Sequence, residues 1–124
     1  MNSKQFVSAL VEHVHKPAIH HTISQLECPS GRKPPKKIVH AASWYASLNQ
    51  QDRANLKSVV ELAVHSALFG LLCTLDGVRA VQANPEHEFQ LSSVEFGAST
   101  RLNTPEGEFL HDTYQGLTYS QVFE

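Results

Sequence analysis

Apolar side chains recur along this chain first at helical spacing, then at strand spacing, then at helical spacing again. Phe6, Val7, Leu10, Val11 and Val14 recur at helical spacing, with Lys4, Ser8, Glu12 and His15 on the other face. This spacing predicts a first helix, capped by Ser3. Pro17 interrupts the series. A helix interior rejects proline but a first turn accepts it, so a second short helix is expected from there, with Ile19, Ile23 and Leu26 as its apolar edge. Residues 27–37 contain Pro29, Ser30, Gly31, Pro34 and Pro35 and read as a loop. A short helix over residues 38–48 carries Trp44 and Tyr45.

The longest apolar pattern begins at Asn49, a good N-cap, with Asp52 in the first turn, where the helix dipole favours an acid. The helix predicted over residues 50–76 keeps a polar stripe, Arg53, Lys57, Glu61 and His65, through its first half. Beyond His65 the stripe shrinks to Ser66, Gly70 and Thr74. A helix apolar nearly all round is buried on several sides. An amphipathic first half and a second half crossing the core are therefore expected, with Gly77 as the stop.

The period changes after Gly77. Residues 78–81 suit a short strand or a last ragged turn, and Asn84-Pro85 marks a turn. Residues 87–96 alternate, with Phe89 and Leu91 in one phase, Val94 and Phe96 in the other, and a bend or bulge at Ser92-Ser93. Gly97 suits a turn, and residues 98–102 a returning strand. A lone hairpin is marginal, so it must pack on the helices. Thr104-Pro105-Glu106 reads as a helix start, giving a last helix to Gln115 with Phe109, Leu110 and Tyr114 inward. Gly116 would end it and leave residues 117–124 as a tail. The expected fold is a single α+β domain, residues 1–124: N-terminal helices around one long buried central helix, then a small antiparallel β-hairpin or sheet and a C-terminal helix.

Composition adds class and compartment. With 41% hydrophobic and 18% charged residues in 124, the chain can bury a core of its own without disulfides or metal. No run of 18 uninterrupted apolar residues occurs, so no membrane span is expected, and the N-terminal stretch is amphipathic, unlike a signal peptide. A cytoplasmic protein is the expectation. Cys28 and Cys73 are then reduced thiols, one in a loop and one in the apolar helix.

Charge divides the chain. Residues 1–75 carry a net +4 and residues 76–124 a net −6, together the −2 of the whole. The acidic half speaks against nucleic-acid binding there and suits a basic partner. Glu86, Glu88, Glu95, Glu106, Glu108 and Asp112 would supply that surface. The basic loop around Arg32, Lys33, Lys36 and Lys37 has no aromatic residue interleaved and reads as solvated.

Other chemistry is sparse. The eight histidines include no pair one helical turn apart, and the cysteines form no CxxC, so no metal and no cofactor is expected. His65 has Glu61 one turn earlier to hold it. No catalytic signature is present. An alternative is a small enzyme with a polar cleft at the C-terminal end of the central helix, built from Asp76, Arg79, His111 and Asp112, with Arg101 and Asn103 nearby. A second alternative is a structural or regulatory homodimer packed through Ser66, Gly70 and Thr74.

The segments Leu71-Leu-Cys-Thr-Leu-Asp-Gly-Val78, Glu88-Phe-Gln-Leu91 and Leu102-Asn-Thr-Pro-Glu-Gly-Glu-Phe-Leu-His-Asp-Thr-Tyr114 resemble small bacterial immunity proteins, the single-domain cytosolic partners of contact-dependent or polymorphic toxins. The resemblance is one of size, layout and charge and covers roughly the second half of the chain. It implies a non-enzyme that binds and blocks a toxin domain, often a basic nuclease.

Overall fold

The computed structural model describes all 124 residues. Residues 3–27 form one helical rod made of α1 (Ser3–Leu10), a π-helical turn (Val11–His15) and α2 (Lys16–Glu27). The cap is Asn2 and not Ser3. Asn2 Oδ1 accepts from the Gln5 N–H at 2.8 Å, while Gln5 Oε1 accepts from the Asn2 N–H at 2.9 Å, which closes a capping box. Pro17 does not break the rod. Its ring needs room against the carbonyl four residues back, and the coil is already widened there: the Lys16 N–H reaches the Val11 carbonyl.

The next helix, α3 (Lys36–Ala46), starts two residues earlier than expected because Pro35 takes the N-cap position. Arg53 closes its far end. The Arg53 Nε and Nη2 groups donate to the carbonyls of Leu48 and Ala46 at 3.2 and 3.1 Å, and the guanidinium lies over the buried Tyr45 ring at 4.8 Å.

The long helix, α4 (Gln50–Leu75), has the expected ends. Asn49 Oδ1 accepts from the Asp52 N–H. Gly77 takes φ +78, the Val78 N–H bonds to the Cys73 carbonyl and the Gly77 N–H to the Thr74 carbonyl. That pair of bonds is a Schellman stop, and it needs a residue tolerant of the left-handed region. The buried residues His65, Gly70, Leu72 and Cys73 all lie in the second half. Val59, Leu62 and Leu71 remain exposed, because α4 packs on α2 and α5 while α3 packs on α2. By length and composition α4 would suffice to cross a bilayer, with a mean hydropathy of 1.7 over its most apolar stretch, although no uninterrupted apolar run is present. A core helix of a soluble protein meets the same measure.

The hairpin pairs β1 (Ser92–Glu95) with β2 (Ala98–Arg101) in antiparallel register, Ser92 opposite Arg101 and Glu95 opposite Ala98. The strand expected from residue 87 begins only at the Ser92-Ser93 phase shift. Residues 78–91 are turns and coil.

The last helix, α5 (Leu110–Phe123), both starts and ends later in the chain than expected. Thr104-Pro105-Glu106 forms a turn, closed by the Gly107 N–H on the Thr104 carbonyl. Gly116 does not stop the helix, and the expected tail is helical. Glycine costs about 1 kcal/mol in a helix interior. Beyond it, the buried Thr118, the Gln121 bond to His15 and the Phe123 ring on His65 hold the helix to the rest of the domain.

The core lies where α1, the end of α4 and α5 meet. Val7, Val11, Leu72, Leu110 and Tyr114 form it, with Phe6, Leu10, Leu68, Phe69, Leu75 and Leu91 packed around them. The architecture is therefore α+β, with the sheet reduced to one hairpin at the C-terminal end of α4.

Candidate functional site

The hairpin and the start of α5 are tied to the C-terminal end of α4 by two polar residues. The first is Asp76, whose side chain is only 1% exposed. Its Oδ1 accepts from the Leu110 N–H at 3.1 Å and its Oδ2 from the His111 N–H at 2.9 Å. One carboxylate thus caps α5 from another helix, where the orphan N–H groups and the helix dipole favour an anion. Oδ2 also meets His111 Nδ1 at 2.7 Å. The His111 ring is stacked on Phe109 and meets the edge of Phe69, and its Nε2 faces Asp112 Oδ1 at 3.3 Å.

The second is Asn103. Its amide donates to the carbonyls of Leu75 and Phe89, both at 2.7 Å, and its Oδ1 accepts from the Leu91 N–H at 2.8 Å. The Leu102 N–H reaches the Leu91 carbonyl at 2.8 Å and extends the hairpin ladder by one rung. One buried amide therefore joins the last turn of α4, the coil before β1 and the coil after β2. Around this junction lies a cavity of about 360 Å³, lined in part by Asp76, His87, Glu88, Arg101, Asn103 and Phe109.

Behind the junction, α5 is held by buried histidines. The π turn rotates the helix faces, so His15, expected on the polar face, is fully buried and aimed at α5, while Val14, expected on the apolar face, is exposed. Gln121 Oε1 can only accept, so His15 Nε2 donates to it, and Nδ1 is hydrogen-bonded to the Tyr114 hydroxyl; both distances are 2.7 Å. His65 donates to Gln115 Oε1 at 2.6 Å and is stacked between Phe69 and Tyr114. Gln115 is its partner in place of the expected Glu61, because the ring turns toward α5 and not along its own helix.

Burial pushes the Tyr114 hydroxyl from its ordinary 10 up to about 12. The folded protein keeps a proton there that the unfolded chain gives up, so stability is complete below pH 10 and falls as pH rises toward 12. The loss attributable to this group is up to roughly 3 kcal/mol. Tyr114→Phe is expected to remove that part of the alkaline slope, as read from urea midpoints measured across the window.

The six acidic residues of the sequence reading are all exposed. Glu86 and Glu88 lie on the coil before β1, Glu95 at the end of β1, Glu106 and Glu108 in the turn before α5, and Asp112 in its first turn. Glu88 and the Thr104-Pro105 turn that leads into Glu106 line the same cavity. Of the two cations of this half, Arg101 lies 3.7 Å from Glu88 and donates to Asn103, while Arg79 lies over Gly70 of α4 without an ion pair.

No protein-family model, curated protein or solved structure matches this chain.

Of the four groups proposed for a catalytic cleft, Asp76, His111 and Asp112 do come together, while Arg79 makes no hydrogen bond or ion pair with them and lies over Gly70. A general base needs a free ring nitrogen facing a space that admits substrate. Here both ring nitrogens of His111 are engaged, and none of the five cavities is lined by His111 or Asp112. The cluster holds the start of α5. Cys73, one turn before Asp76, is buried, and burial raises its thiol, which disfavours the nucleophilic thiolate.

On the small stripe of α4, Ser66 is exposed and Gly70 is buried. A Cβ on Gly70 would stand 2.3 Å from Arg79 Nη1, and the Thr74 hydroxyl bonds back to the Gly70 carbonyl. Of the histidines, His13, His20, His21, His40 and His87 are exposed, and no three His, Cys, Asp or Glu side chains stand together as a metal set. Sequence reasoning missed the partners Gln115 and Gln121, for which no periodic signal exists. It also passed over Phe96, whose signal was visible: a phenylalanine immediately before Gly97, in a turn where asparagine or aspartate is usual.

Proposed function

We propose that this chain is an immunity or inhibitor-type binding protein that neutralises a basic partner protein, such as the nuclease domain of a toxin, through the acidic lobe after Gly77. One observation carries the reading. Six acidic side chains stand exposed on a lobe with only two cations, of which Arg101 is paired with Glu88, while its buried polar groups hold it in place. A surface of one sign steers a partner of the other sign and raises the association rate. The resemblance in size, layout and charge to cytosolic toxin-immunity proteins supports the same reading.

The test is a partner recovered on the immobilised protein from its own cells, identified and then produced alone. It is expected to be basic, and where it cleaves nucleic acid, an equimolar amount of this protein should stop the cleavage. The triple variant Glu86→Lys, Glu95→Lys, Glu108→Lys is expected to bind it at least about tenfold more weakly. Equal affinity of the reversed and native proteins would exclude the electrostatic reading.

A further inference from the structure

The hairpin tip is built against its own stability. Phe96 is the only non-glycine residue of the chain with positive φ, at +51, and Gly97 follows at +80. Two positive φ values across a two-residue loop make a type I′ turn, whose first position normally takes asparagine, aspartate or glycine. An L side chain there is strained by its own Cβ. Strain of this kind is usually offset by packing, but Phe96 has none to offset it. Its side chain is 102% exposed and contacts no other aromatic ring of the chain, and Val94, two residues before it, is 69% exposed. The register sets Val94 opposite the small Ser99, so nothing across the ladder shields it.

We infer that Phe96 is the anchor of the binding surface: it enters an apolar pocket, rimmed by basic groups, on the partner protein, with Val94 beside it and Glu95 meeting the rim. This rests on the binding-protein reading above and deepens it. Aromatic anchors in desolvated pockets dominate interface energies. A type I′ turn holds the ring on a short, stiff hairpin, so little freedom is lost when it docks. The partner's chemistry follows from the neighbours: between Arg79 and Arg101 the chain has no Lys or Arg, while Glu86, Glu88 and Glu95 lie in that stretch. A basic rim complements them, and an anionic membrane surface would repel them.

Phe96→Asn tests the inference without disturbing the fold, because asparagine accepts the left-handed region. Three readouts belong together. The thermal midpoint of Phe96→Asn is expected to rise by about 2–5 °C; a fall would mean that Phe96 serves the fold, and would overturn the inference. A photo-reactive benzoylphenylalanine at position 96, in the full chain in its own cells, is expected to cross-link a basic protein, and the same label at Val39 on α3 should not. No adduct at 96 above the level at 39 would also overturn it. The cross-linked protein, produced alone, is expected to bind Phe96→Asn at least about 30-fold more weakly than the native chain.

The outcomes separate the two claims. If the lysine reversals abolish binding and Phe96→Asn does not, the anchor is wrong and the electrostatic reading stands. The opposite pattern keeps the anchor and removes the electrostatic reading. Native protein that sediments with phosphatidylcholine–phosphatidylglycerol vesicles, and loses this in Phe96→Asn, would make the ring a membrane contact and overturn the protein pocket.

Discussion

Asn103→Ala is expected to cost about 3 kcal/mol of stability and to lower the thermal midpoint by roughly 10 °C. The amide is buried and makes bonds to Leu75, Phe89 and Leu91 at 2.7–2.8 Å. Removing it leaves two carbonyls and one N–H without partners at the point where α4, β1 and β2 are joined, and an unmade buried bond costs more than a made one contributes. Asn103→Asp sharpens the prediction. Aspartate keeps the acceptor for Leu91 but loses both donors and sets a negative charge against two carbonyl oxygens. It should be at least as damaging as alanine, although it is nearly isosteric. Hydrogen exchange would locate the effect: the Leu91 and Leu102 amides should lose protection, while those in α2 and α3 keep theirs. A nearly silent Asn103→Asp would show that the lobe is held by its apolar contacts alone.

Asp76→Ala should cost a similar amount, about 3 kcal/mol, by a different route. The carboxylate accepts two backbone N–H bonds at the start of α5 and a third bond from His111. Without it the first turn of α5 has no cap, since Phe109 at the N-cap position supplies none. Asp76→Asn keeps one acceptor and should lose roughly half as much. Circular dichroism and hydrogen exchange across Leu110–Thr113 would distinguish this local fraying from the hairpin release expected of Asn103→Ala. Both variants act on how the acidic lobe is held, so under the proposed function each should weaken partner binding although neither side chain is exposed.

What the sequence revealed, and what it hid, follows from the range of the interactions. The ends of α4 were legible because they are local: Asn49 bonds to its own helix three residues on, and Gly77 supplies the left-handed turn at the stop. The hairpin was legible in its second part, where alternation and Gly97 agree. The start of α5 was not, because its cap is Asp76, far back in the chain, and Thr104-Pro105-Glu106 offers a local cap that the fold does not use. Its end was misread for the same reason. Gly116 is a local stop signal, but His15 and His65 hold the helix beyond it. The continuous rod through Pro17 was hidden because a π turn leaves no pattern in side-chain types. Of the candidate site, the acidic positions were legible from charge alone. The fastening of the lobe by Asn103, and the exposed ring at its tip, required knowing which segments meet.

The acidic lobe as a steering surface makes one demand that is easily measured. Association with the purified basic partner, followed by stopped flow from about 50 to about 500 mM salt, should slow steeply for the native chain, with little change in the dissociation rate. The Glu86→Lys, Glu95→Lys, Glu108→Lys variant should associate more slowly at low salt and show a flat or inverted salt dependence. Identical salt slopes for the two proteins would contradict the assignment of binding to this lobe.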